Sequence, residues 1–201
     1  LGFESFAAGD VLTQVISEGV TVDISGTGGA SGSVMVFDTD DFSGGDNDLE
    51  APFYSDFDAP GSPSAGADTL TPGNVLIISE DDDPSDPDDA GNGGSITFDF
   101  SAAVTFQGFD VMDDVSNFTV TGNGGQFTTG PINLDFDNQF ASFSGLDWAG
   151  VTTLTFDFKN ASGAIDNIAF DVPSVPLPAG LPLMLAGLGA LGLAARRRKT
   201  A

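Results

Sequence analysis

The chain has 201 residues, enough for one domain with an appendage, and carries 30 acidic against five basic side chains for a net charge of −25. It contains no Cys and no His, which excludes disulfides, thiolate metal sites, cysteine nucleophiles, Ser-His-Asp triads and ordinary zinc sites. What remains is carboxylate chemistry, either acid–base work of the glycosidase kind or the holding of hard cations by oxygen.

The predicted elements, in chain order, are mostly strands. Leu1 opens the sequence with no basic and apolar leader ahead of it, and a signal peptide is expected upstream. Val20, Val22 and Ile24 alternate with polar residues, the period of a half-buried strand. Val34-Met35-Val36-Phe37 and Val75-Leu76-Ile77-Ile78 are unbroken apolar runs that suit strands covered on both faces. Ile96, Phe98 and Phe100 alternate again, as do Leu154, Phe156 and Phe158. A last strand is expected near residues 164–172, with a change of phase between Ile165 and Ile168 that signals a bulge. Gly-rich turns separate these runs, and no stretch before Pro173 has a helical period. The expected fold is therefore all-β, a jelly-roll-like sandwich over residues 1–172, with a β-solenoid as the alternative. Residues 38–73 are too long for a plain connection, which marks them as functional or mobile.

The charge is unevenly placed. All 30 acidic residues precede Pro173, where Lys159 is the single basic residue, giving that region a net charge of −29. A surface so acidic repels phosphate backbones, so no nucleic-acid partner is expected. Self-repulsion has to be offset by bound cations or by screening in a saline habitat, and both stay open at this level. The 18 Phe and the 40% apolar content speak against disorder.

Several acidic groups are candidate cation ligands. Asp38, Asp40, Asp46 and Asp48 stand as Asp-x-Asp pairs on either side of Gly44-Gly45, a spacing that can wrap oxygens around calcium; the competing reading is a solvated acidic loop. Glu80 closes the Val75–Ile78 strand and heads a second acidic run through Asp89, most of which reads as solvent-facing. Glu4, near the start, and Asp166, on the final strand, form a third candidate. Asp110, Asp113 and Asp114 could supply a glycosidase pair, although an Asp-rich chain offers such pairs by chance and no catalytic residue is assigned. Tyr54 and Trp148, the chain's only Tyr and Trp, are the candidate sugar-stacking residues.

After Pro173-Ser174 the composition changes. Val175-Pro176-Leu177-Pro178-Ala179 leads into an uncharged run from Leu177 to Ala195, and Arg196, Arg197, Arg198 and Lys199 follow. As a helix this run would span about 28 Å, close to the hydrocarbon thickness of a bilayer. The basic cluster would remain cytoplasmic as a membrane stop, leaving the acidic body outside. Residues 173–201 thus read as a linker, the Val175–Ala179 motif, an anchor helix and a basic tail.

These residues resemble the VPLPA-CTERM sorting signal, a variant of the PEP-CTERM signals of Gram-negative bacteria. The resemblance implies recognition by an exosortase, transient anchoring in the inner membrane, release to the cell surface and association with extracellular polysaccharide. A weaker resemblance links the Phe3-Glu4 opening and the Gly163-Ala164-Ile165-Asp166-Asn167-Ile168 ending to calcium-bearing jelly-roll modules, including carbohydrate-binding ones. It implies an ion held between Glu4 and Asp166. The expected function is that of an exported, non-catalytic surface or matrix protein stabilised by calcium. A carbohydrate-binding module is the alternative, and a carboxylate glycosidase is a third reading.

Overall fold

A computed structural model describes residues 1–41, 49–173 and 184. Asp46, Asp48, the sorting motif at 175–179 and the basic cluster at 196–199 lie outside the described residues, as does all of the expected anchor helix except Met184. No helix among the described residues is long and apolar enough to cross a membrane.

The described strands are β1 (Gln14–Ser17), β2 (Val20–Gly28), β3 (Val34–Asp38), β4 (Phe53–Tyr54), β5 (Phe57–Ala59), β6 (Ser62–Pro63), β7 (Thr69–Leu70), β8 (Asn74–Ile78), β9 (Gly94–Met112), β10 (Thr119–Gly122), β11 (Phe127–Thr128), β12 (Phe140–Phe143), β13 (Trp148–Asp157) and β14 (Ala164–Asp171). Ten of them form one antiparallel sheet, while β4 pairs with β7 and β5 with β6 as separate ribbons. The all-β expectation holds. The jelly-roll resemblance finds no support, because hydrogen bonding runs unbroken from β11 through β9 to β3 instead of dividing into two sheets.

The strand that joins everything is β9. Its first half pairs with β2 on one side (Ile24 opposite Phe98) and β13 on the other (Phe156 opposite Ile96). Its second half pairs with β14 and β12 (Ile165 and Ala141 opposite Val111). Between the halves, the β13 register jumps from Val104 to Asp99 while β13 advances only from Val151 to Thr153, so β9 bulges there, and Ser101 to Ala103 are exposed. A bulge of this kind bends a strand. The bend lets the two halves of one sheet face each other over a common core. Phe156 of β13 shows the closure, its ring lying 5.5 Å from that of Phe98 and 5.3 Å from that of Phe109, in opposite halves of β9.

The unbroken apolar runs have the two-sided burial they predict. Val34, Val36, Leu76 and Ile78 face the main core, whereas Met35, Phe37, Val75 and Ile77 face a second one. That second core is closed by Leu49 and Phe53, with Met112, Phe140 and Ala164 from the sheet. The long 38–73 segment thus supplies a cover: Leu49, Phe53 and Leu70, the last two from the β4–β7 ribbon, pack on the core at the outer face of β3 and β8. The phase change in the last strand is also present, as a register shift between Asp166 and Ala169 with Asn167 at φ +52°.

Candidate functional site

Both predicted ligands of the first acidic loop that the structure describes sit at the end of β3. Asp38 is half-buried and its Oδ1 accepts the Asp40 backbone N–H at 2.9 Å, a turn that leaves Asp40 exposed. Glu80 is exposed just past β8, its backbone held by Ala30 and Asp88. The acidic run after it is more ordered than a solvated charge block. Ser31 Oγ donates to Asp82, Ser85 donates twice to Asp83, and Asp89 is buried with its carboxylate accepting the Gly163 N–H. The hydrogen bonds from Ser85 hold the Asp83 carboxyl below the usual range. Burial, then the charges of Asp81, Glu80 and Asp86, push that of Asp88 up.

Glu4 and Asp166 come into one neighbourhood. The opening segment docks on β14 through Leu1, whose carbonyl accepts the Ile168 N–H at 3.0 Å. Glu4 Oε1 accepts the Asn74 N–H at 3.0 Å, and the bare Cα of Gly73 admits that carboxylate, since a Cβ there would lie 2.7 Å from Oε2. Asp166 is 3% exposed, and its Oδ1 is buried without a hydrogen-bond partner. Directly opposite in the β9–β14 ladder stands Asp110, whose Oδ2 accepts from Asn167 Nδ2 at 2.8 Å. Burial pushes the Asp166 carboxyl up to about 7, and the charges of Asp110 and Glu4 act in the same direction. Like charges opposite one another on neighbouring strands are destabilising, so this is a costly place for a bare carboxylate.

The acidic side chains that converge are others. Among the described residues, Asp113, Asp114 and Asp137 form the one set whose oxygens all lie within 4.8 Å of one another. Asp113 and Asp114 leave the end of β9, and Asp137 comes from the loop that leads into β12. Asp113 is fully buried, accepts from Ser162 Oγ at 2.9 Å and adopts φ +80°, a left-handed conformation that non-glycine residues rarely occupy. Its N–H donates to the Gln139 carbonyl at 2.8 Å, tying the two loops together. Three carboxylates so placed are a hard-cation arrangement. The sequence groups Asp113 and Asp114 with Asp110, but Asp110 belongs to the Asp166 neighbourhood instead. Asp137 was missed. The signal for it is Asp135-Phe136-Asp137, the same Asp-x-Asp form as Asp38-Thr39-Asp40.

Beside this trio lies a cleft of about 420 Å³ lined by Tyr54, Phe57, the β5–β6 turn and residues 135–138. Period-2 alternation explains Tyr54: Phe53 turns inward to the second core, so its neighbour turns outward. The loop wall is held by Asp135 N–H on Gln139 Oε1 (2.8 Å) and Tyr54 N–H on the Asn138 carbonyl (2.8 Å). Trp148 is not part of the cleft. It opens β13 half-buried, stacked on Phe127 at 5.4 Å and against Phe106 at 5.5 Å.

Residues 174–199 match the family model of the PEP-CTERM protein-sorting motif. The chain carries a PEP-CTERM sorting signal. It is therefore an exported protein handled by exosortase-type machinery and addressed to the cell envelope or surface. Comparison with curated proteins and with solved structures gives no match.

Proposed function

We propose that this is a non-catalytic surface or extracellular-matrix protein whose acidic β body is stabilised by calcium, with the C-terminal tail serving as a transient membrane anchor before exosortase processing. The observation that carries the calcium part is the convergence of Asp113, Asp114 and Asp137 at the end of the strand around which the whole sheet is built. Two of the three are exposed, so the ion would keep several waters and be held weakly, in the range of about 10⁻⁴–10⁻³ M typical of extracellular modules. The sorting signal supports this reading by addressing the body to a compartment where calcium reaches such concentrations.

Calorimetry on the purified chain tests it. Calcium at ten times its dissociation constant adds about 1.4 kcal/mol, which raises Tm by about 3–6 °C in a body of this size. Chelator should reverse the rise, and Asp114→Asn with Asp137→Asn should abolish it. An unchanged Tm on adding calcium would remove the cation from the account.

A further inference from the structure

We infer that the cleft between Tyr54, Phe57 and the 135–138 loop is a binding site for neutral glycan chains, which lay the C–H face of a pyranose ring on its aromatic wall. The wall is continuous. The Tyr54 and Phe57 rings lie 5.8 Å apart at 89°, and those of Phe57 and Phe136 lie 5.4 Å apart at 31°. All three are only partly buried, although most other rings of this Phe-rich chain are sealed in the cores. Aromatic surface left at the wall of a concave site is the usual mark of a ligand face. The cleft volume falls within the roughly 300–1,000 Å³ of small-ligand sites.

The polar groups decide the ligand's chemistry. Asp135 and Asp137 offer carboxylates, which accept hydrogen bonds and donate none, so the ligand has to bring donors. Sugar hydroxyls do. Without calcium, an anionic polysaccharide would meet carboxylates with no basic side chain to balance them, since Lys159, the body's single basic residue, pairs with Asp157. An organic amine is the competing ligand, because rings and carboxylates together also suit a cation. The carboxylates, however, are exposed at the rim, where an ion pair in water is worth little. The surface that gains by losing water is the ring wall, and it favours a polyol with an apolar face. Asp137 stands in both this cleft and the proposed calcium trio, so the two sites share one loop but not one ligand.

Tyr54 is the chain's only tyrosine, so 3-fluorotyrosine labelling of the full chain in detergent gives a single fluorine resonance inside the cleft. Titration with soluble neutral glucans and galactomannans, in chelator and then in calcium, should shift that resonance saturably in both. Phe136→Ala should weaken binding about tenfold, the loss of roughly one stacking contact, and Asp135→Asn should weaken it less. Trp148→Phe should leave it unchanged. A melting curve run on each variant separates lost binding from lost folding. The inference is overturned if no neutral glycan moves the resonance, or if spermidine moves it and glycans do not. Failure here leaves the calcium-dependent rise in Tm untouched, so the two proposals fall separately.

Discussion

Asp166 is the residue whose environment makes the sharpest demand. Its carboxyl is raised to about 7 by burial first, with Asp110 and Glu4 adding to the rise and the Asn167 backbone N–H and then the Leu1 amino group opposing it. A carboxyl whose folded pKa lies above its unfolded value binds protons more tightly when folded. Its contribution is complete below about pH 4 and is lost as pH rises through 7. In chelator, stability should therefore fall between about pH 4 and 7. Asp166→Asn keeps the shape and removes the charge, so it should flatten that slope and raise Tm at pH 8 by several degrees, as scanning calorimetry across the pH series would show. At neutral pH and without cations, a variant less stable than the parent would mean that Asp166 is satisfied in a way its unpartnered Oδ1 does not reveal. Phe156 makes a plainer demand. Its ring bridges both halves of the folded sheet, and Phe156→Ala should cost about 3–5 kcal/mol in denaturant unfolding.

Among the elements, β9 decides the architecture. Gly108 sits where β12 comes closest, and a Cβ there would fall 1.9 Å from the Phe143 carbonyl oxygen. Gly108→Ala should consequently detach β12 and disturb the adjoining loop, with hydrogen exchange accelerating at 140–143 before it does at β2. How much of this was legible follows from periodicity. The alternating runs at 20–24, 96–100 and 154–158 and the two-sided runs of β3 and β8 were readable, because burial on one face or both writes itself directly into the residue pattern. The second half of β9 was not, since Ser101-Ala102-Ala103 reads as a strand end and the phase changes across the bulge. The short ribbons β4–β7 have too few residues to show any period. The site was half legible for the same reason: Asp113 and Asp114 are adjacent in sequence, but Asp137 meets them only through the β9–β12 pairing.

At the scale of the whole molecule, a net charge of −29 on the body sets its response to ions. Sodium chloride screens all carboxylates alike and should raise Tm gradually and without saturation over the range where the Debye length falls from about 10 to 3 Å. Calcium should act at far lower concentration and saturate, and only the calcium effect should disappear with Asp114→Asn and Asp137→Asn. Charge repulsion and a built site are thereby separated in one set of melting curves. On the proposed reading, the protein loses its tail and works outside the cell with calcium bound. Native mass spectrometry of the protein recovered from the surface of exporting cells tests that description most directly. The mass should correspond to a chain cut near residues 175–179, with calcium adducts that vanish in chelator; a chain still carrying residues 180–201, or one with no bound metal, would contradict it.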